Sequence, residues 1–160
     1  MTTEGMHRRH LLLHLGALTG YLLLGQDAEA AEPLAVIVPK ASWLSGVSLQ
    51  ELRRVYQGEL DSLGGRRVLP LNQPPRTEVR ERFDRSVLKM NAEEVARYWI
   101  DRRIRGRSGA PKSVPTRLMA PVVAKLPNSV GYVTLSAVNA GVKILPVDGR
   151  LPGEPGYRLT

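Results

Sequence analysis

The residues that carry covalent or metal chemistry are scarce in this chain, and where they fall limits what it does. It has no cysteine, and its only histidines are His7, His10 and His14. Without cysteine there is no disulfide framework, thiolate metal site or thiol nucleophile. All three histidines lie in a stretch that reads as a removable leader. Beyond it no imidazole remains for a nucleophile–base triad or a catalytic zinc. The acid pair Glu93-Glu94 falls where a helix start accounts for it. This reading gives a chain that is not an enzyme and uses no metal or cofactor. What remains is non-covalent recognition by cations, hydroxyls and backbone N–H groups.

The stretch from Leu69 to Phe83 suits that chemistry best. Arg67 to Leu71 reads as a strand. Asn72 to Arg76 reads as a stiff turn, because Pro74 and Pro75 lack an N–H and fix φ. Thr77 reads as an N-cap, and Val79, Phe83 and Val87 recur every fourth residue along a helix reaching about Leu88. A strand that feeds a loop into a helix N-terminus offers free N–H groups and the positive end of a dipole to a small anion. The candidate ligand-binding residues are Thr77 as cap donor and Arg76 as charge partner. Ser42, in the loop after the first strand, is a third. Arg107 and Ser108 join them from Gly106 to Lys112, a loop able to turn N–H groups onto an anion. That loop lacks the spacing of a nucleotide-binding P-loop. The plainer alternatives stay open: Thr77 only caps a helix, and the loop only connects.

The elements that must position these groups alternate along the chain. Leu34 to Val38 is a short apolar run suited to a strand buried on both faces. Ser48-Leu-Gln-Glu51 is a capping box opening a helix with Leu49, Leu52, Val55 and Tyr56 on one face, stopped at Gly58. Glu59 to Gly65 reads as a polar loop. Asn91-Ala-Glu-Glu94 repeats the cap and starts a helix bearing Val95, Tyr98, Trp99 and Ile100, with Trp99 expected in the core. Pro115 to Leu126 is weakly helical. Val130 to Leu135 and Val142 to Val147 read as strands, and the tail 149–160 as loose. The pattern predicts an α/β fold, a sheet with helices on both faces. Ligands in such sheets sit outside the carboxyl ends of strands, which points to the loops after Val38 and Leu71.

Residues 1–30 have the composition of a signal peptide. Arg8-Arg9 precede a mostly apolar run from Leu11 to Leu24, and Ala28-Glu-Ala30 is a small-residue cleavage signal before Ala31. The run is shorter than the roughly 20 residues a membrane span needs. The general secretory route ranks above twin-arginine export, though the arginine pair fits both. The residues predict three parts: 1–30 signal peptide, 31–148 α/β domain, 149–160 tail. The product is periplasmic or secreted. Its formal charge rises from +8 to +9 when the leader leaves, since residues 1–30 hold two arginines and three acids. A basic exported domain favours anionic partners.

Several segments together resemble a known family. They are Val36-Ile-Val-Pro-Lys40, the helix Ser48 to Gly58, the turn into Glu78-Val-Arg-Glu-Arg-Phe83, and Asn128-Ser-Val-Gly-Tyr-Val133. In that order and spacing they resemble the short phosphate ABC transporter substrate-binding proteins, the PstS-like group of periplasmic binding proteins. The resemblance implies a type II periplasmic-binding-protein fold, here a single lobe in three α/β/α layers. It also implies phosphate or a related oxyanion as ligand. Where the family's turn reads Ser-Gly-Thr, this chain has Pro75-Arg76-Thr77. The threonine matches, and Arg76 supplies a charge-assisted donor. A lone lobe offers half a site unless two chains pair, so a homodimer is one expected arrangement.

The leading reading is a secreted solute-binding protein that recognises phosphate or another small oxyanion and feeds an ABC transporter permease. The alternative is an envelope interaction or assembly module on the same fold with a decayed pocket, to which the two prolines at the turn point. Nucleic acid is disfavoured as partner, because the chain lacks an aromatic–basic platform and is exported.

Overall fold

A computed structural model describes residues 31–160, which form one unit. The expected signal peptide and its cleavage position lie outside the described residues. Strand β1 (Leu34–Pro39) is the expected apolar run, and every residue from Leu34 to Val38 is inaccessible to solvent. Helix α1 (Leu49–Tyr56) opens with the predicted box: Ser48 accepts from the Glu51 N–H while the Glu51 carboxylate accepts from the Ser48 N–H. Its four predicted apolar residues are buried.

Glu59 to Gly65 is not wholly loop. Strands β2 (Ser62–Leu63) and β3 (Arg66–Arg67) pair antiparallel across Gly64 and Gly65, whose φ values of 54° and 77° suit a two-residue hairpin turn. Arg67 therefore belongs to this hairpin, and β4 (Leu69–Asn72) starts two residues later than the sequence pattern suggests. Helix α2 (Glu78–Phe83) runs directly into a π-helical turn over Asp84–Leu88 that closes on Lys89 at φ 59°. Helix α3 (Ala92–Ile104) carries the second capping box, Asn91 with Glu94. Strand β5 (Lys112–Ser113), helix α4 (Met119–Lys125), strand β6 (Ser129–Thr134) and strand β7 (Val142–Ile144) complete the fold. Pro121 sits in the first turn of α4, where its missing N–H breaks no helical bond.

The sheet order is β5-β4-β6-β1-β7. Strand β4 runs parallel to both β5 and β6, while β1 runs antiparallel to β6 and β7. Four strands thus point one way and β1 the other. Helices α1, α2 and α3 contribute to the larger core on one face, with Leu52, Tyr56, Phe83 and Val95 meeting Val36, Val130 and Tyr132. Helix α4 covers the other face through Met119, Ala120 and Val123 against Ala35, Ile37 and Val133. This is the expected three-layer α/β/α arrangement. Each fully buried aliphatic side chain contributes about 1.5–3 kcal/mol. Helix α4 lies so close to β6 that a Cβ on Gly131 would meet Met119 Sδ at 2.8 Å and Val123 Cγ2 at 2.9 Å.

Two expectations give way to packing. The tail 149–160 is tied down: the Leu34 N–H donates to Leu159 O at 2.8 Å, the Tyr157 hydroxyl donates to Leu34 O at 2.7 Å, and Leu159 is fully buried. Edge atoms of β1 that would otherwise lack partners hold it. Ile100, one of the apolar residues read along α3, is 57 % exposed. The face of α3 turned to the protein carries Val95, Trp99 and Arg102 instead, a spacing of four then three.

Candidate functional site: a cleft at the carboxyl end of β4

Because β1 runs against its neighbours, the loops after Val38 and Leu71 leave opposite ends of the sheet. Ile37 pairs with Gly131, so the exit of β1 lies beside the start of β6, where β4 also starts. Ser42 is therefore placed far along the strands from Arg76. It sits instead in a groove with Trp43, Arg66, Lys125 and Asn128. There the Lys143 ammonium donates to Ser42 O at 2.6 Å, and the Arg66 guanidinium stacks 4.1 Å above the Trp43 ring.

Arg107 and Ser108 lie in a third place, past the C-terminus of α3. Arg107 is exposed beside Glu59, Asp101 and Arg105. The Ser108 hydroxyl accepts from Arg102 Nη2, which also donates to Gly58 O at 2.9 Å. Arg102 is a buried strut between α3 and the end of α1, with its guanidinium near the Tyr98 and Trp99 rings. Of the five candidate residues only Arg76 lines the largest cleft described, with Thr77 next to it in the turn.

That cleft has a volume of about 740 Å³. It lies between the β4–α2 turn, the α2 and π-helical segment, the first half of α3 and the approach to β5. Arg76 is exposed at its wall, held at φ 65° by the turn after Pro74 and Pro75. Thr77 behaves differently from an N-cap. Its hydroxyl donates to Pro74 O at 2.9 Å, and its side chain accepts no helical N–H. The turn is closed by that bond, so the hydroxyl is already engaged.

Two residues that the sequence pattern did not single out line the cleft as a pair. Arg80 Nε donates to Asp84 Oδ2 at 2.7 Å, with both side chains more than nine-tenths buried. Arg80 Nη1 donates to Gln73 O at 3.0 Å, and Nη2 has no partner among the described residues. Asp84 Oδ1 is buried and accepts no hydrogen bond. Burial pushes the Asp84 carboxyl up, against the downward pull of Arg80. An arginine and an aspartate four apart beside the Phe83–Val87 stripe is the available signal for this pair. That both would be buried follows only from the packing of α2 against the carboxyl ends of β4 and β6, where Phe83 stacks on Tyr132 and Arg80 reaches Gln73 O.

Beneath the cleft the carboxyl ends of β4 and β6 meet in a polar layer. The Tyr132 hydroxyl donates to Asn72 Oδ1 and accepts from the Gln73 N–H at 3.2 Å. Gln73 Nε2 donates to Tyr132 O at 2.9 Å, and Gln73 Oε1 is left without a donor. The Tyr56 hydroxyl lies 3.0 Å from the carbonyls of both Leu71 and Val130. Burial pushes the Tyr56 and Tyr132 hydroxyls far up, so both remain neutral donors. The Phe83 ring stacks on Tyr132 with centroids 3.7 Å apart, which anchors α2 over this layer. The opposite wall is apolar, with Pro75, Val95, Ala96, Trp99 and Pro111. Trp99, expected in the core, is half-buried and serves both the core and this wall. The arrangement suits holding a solute; among the described residues no His, Cys, Asp and Glu cluster could hold a metal ion.

No protein-family model matches the chain, and no curated protein matches it. Solved structures do. A protein described as a phosphate ABC transporter substrate-binding protein, from Clostridium perfringens with bound phosphate, superposes with a TM-score of 0.60 at 20 % identity, over 74 % of this chain and 46 % of that one. An ABC-type phosphate transport receptor from Vibrio cholerae gives 0.62 at 15 %, over 76 % and 48 %. PstS from Borrelia burgdorferi gives 0.58 at 17 %, over 76 % and 49 %. At these identities the likeness establishes the fold, that of the periplasmic binding proteins. The chain spans just under half the length of these structures.

Proposed function

We propose that this chain is an exported solute-binding protein that holds phosphate or another small oxyanion non-covalently in the cleft at the carboxyl end of β4 and passes it to an ABC transporter permease. The observation that carries this reading is the placement of Arg76 and Arg80 on one cleft, with part of the Arg80 guanidinium free. The fold shared with phosphate-binding proteins supports it, and so does the signal-peptide composition of residues 1–30. Arg76 and Arg80 provide charge-assisted donors, which are the stronger class of hydrogen bond. Arg107, Ser108 and Ser42 stand away from this cleft and have no part in this reading.

Calorimetric titration with phosphate, with sulfate as control, tests it. Saturable heat is expected, and Arg76→Ala should weaken the affinity about tenfold or more, the effect of losing one hydrogen bond to a charged group. An unchanged affinity in Arg76→Ala would remove this residue from the site. The absence of heat with both anions would favour the second reading, an envelope interaction module whose pocket has decayed. One observation favours that module: the turn into α2 spends its Thr77 hydroxyl on Pro74 O and lacks an N–H at Pro75.

A further inference from the structure

Among the described residues, the two most exposed large apolar side chains stand together at the end of α3. Ile100 is 57 % exposed and Ile104 is 77 % exposed. Neither belongs to the core or lines a described cleft. Four positions apart, they lie one turn apart on one helix face. Arg97 and Arg103, three positions either side of Ile100, flank them, and Arg105 and Arg107 follow; all four are exposed. The acids of α3 gather at its other end, with Glu93 and Glu94 in the first turn. Beside Arg105 and Arg107 the acids are Asp101, 3.9 Å from Arg105, and Glu59, 3.9 Å from Arg54. Positive charge is therefore in excess around the two isoleucines.

A single exposed isoleucine is ordinary. Two on one face, ringed by arginines, have the make-up of a helix that rests on an anionic lipid surface. Arginine stems lie along apolar surface while their guanidinium groups meet phosphate. One exposed ion pair contributes little, but a leaflet presents headgroups to all four arginines at once. A leaflet also has no fixed contour, which suits a face that offers no socket. Helix α3 has 13 residues, and no helix of the described residues is long and apolar enough to cross a membrane, so the contact is at the surface.

We propose that the C-terminal end of α3 rests on an anionic lipid surface. Ile104 and Ile100 enter between the headgroups, and Arg97, Arg103, Arg105 and Arg107 meet their phosphates. This contact is separate from the cleft at the carboxyl end of β4, which takes its wall from the first half of α3, and it holds whatever that cleft binds.

The chain has no cysteine, so one introduced thiol carries an environment-sensitive dye at a single place. The test labels Ile104→Cys and, as control, Ala92→Cys in the full chain. Ala92 begins the same helix, about 18 Å away at 1.5 Å per residue. Each is mixed with vesicles of phosphatidylcholine, with and without phosphatidylglycerol. The dye on Ile104→Cys is expected to brighten and shift to the blue only with phosphatidylglycerol present, and the dye on Ala92→Cys to stay unchanged with both. Adding Arg103→Gln, Arg105→Gln and Arg107→Gln should weaken the vesicle affinity about a hundredfold, since each cation near an anionic surface multiplies it roughly fivefold. Adding Ile100→Ser instead should weaken it about tenfold through lost apolar burial. Unchanged affinity in either variant would overturn the proposal. So would equal responses from the two labels, which place the lipid contact elsewhere, or no response from either. A response matched by poly-L-glutamate would assign the face to an acidic protein. One that appears with rising chain concentration alone would assign it to a second copy. Each of these also overturns the lipid contact.

Discussion

The two ends of the sheet hold similar side chains and use them in opposite ways. At the start of β4 and β6, Trp43 meets Arg66 and the Lys143 ammonium meets Ser42 O, in a shallow groove where the long cations reach solvent. At the carboxyl end, Trp99 and two arginines border a larger cleft, and there the Arg80–Asp84 pair is buried with one acceptor vacant. At the first end the one buried side-chain polar atom without a partner, among the described residues, is Trp43 Nε1. The second carries a polar cost that packing has not removed. Buried groups left short of partners are worth asking about as ligand sites, whereas exposed cations of either sign of neighbour are not.

This contrast can be broken most forcefully at the buried pair. Replacing Arg80 by Met alone leaves Asp84 buried and charged, and the loss should be about 3–5 kcal/mol in urea unfolding. Replacing Arg80 by Met and Asp84 by Leu together should cost much less, because no uncompensated charge remains. A single loss below about 1 kcal/mol would mean the pair is solvated and the two ends do not differ in this way.

The pH dependence sharpens the same point. The folded protein holds the Asp84 carboxyl above its ordinary value, so the folded state binds the proton more readily than the unfolded state. Stability from this group is then fully present below the ordinary aspartate value of about 3.9 and is lost as pH rises through the raised value. Relative to Asp84→Asn, the unmodified chain should gain stability as pH falls through that window. A flat difference between the two would show that Arg80 fully offsets the burial.

The two helix starts give a smaller contrast. Ser48 caps α1 in a complete box, while Thr77 at α2 does not cap. Ser48→Ala should cost about 1 kcal/mol. Thr77→Ala should cost less, since only its bond to Pro74 O is lost. Equal costs would mean that the turn at Pro74 matters to the helix as much as a cap does. Smallest of all, Ser42→Ala should change stability by no more than about 0.5 kcal/mol and leave solute affinity unaltered, as it lies at the other end of the sheet. A change in affinity would relocate the site.

Much of the fold was legible because its signals are local. The apolar run Leu34 to Val38, the two capping boxes and the Leu49, Leu52, Val55, Tyr56 face each involve residues within a few positions of one another, and each appears where it was expected. The hairpin at Gly64-Gly65 was present in the sequence as a glycine pair but was read as the end of a loop. The site was less legible. Arg76, which lines the candidate cleft, stands out in the sequence because a strand–turn–helix has a recognisable form. Arg80, Asp84, Gln73 and Tyr132 do not, because nothing in their own neighbourhood marks them as buried. Tyr132 and Gln73 meet across 59 positions of sequence.

The amino-acid sequence by itself determined the alternation of strands and helices, where α1 and α3 begin, and the exclusion of thiol and, past His14, imidazole chemistry. The tertiary structure alone decided that β1 runs against its neighbours, which sent Ser42 and Arg76 to opposite ends. It also decided that Arg80 and Asp84 are buried, and that the tail returns Leu159 to the core. The physical reason is that periodicity and capping act within a few residues, whereas strand direction and the burial of a charged pair depend on contacts between segments far apart in the chain.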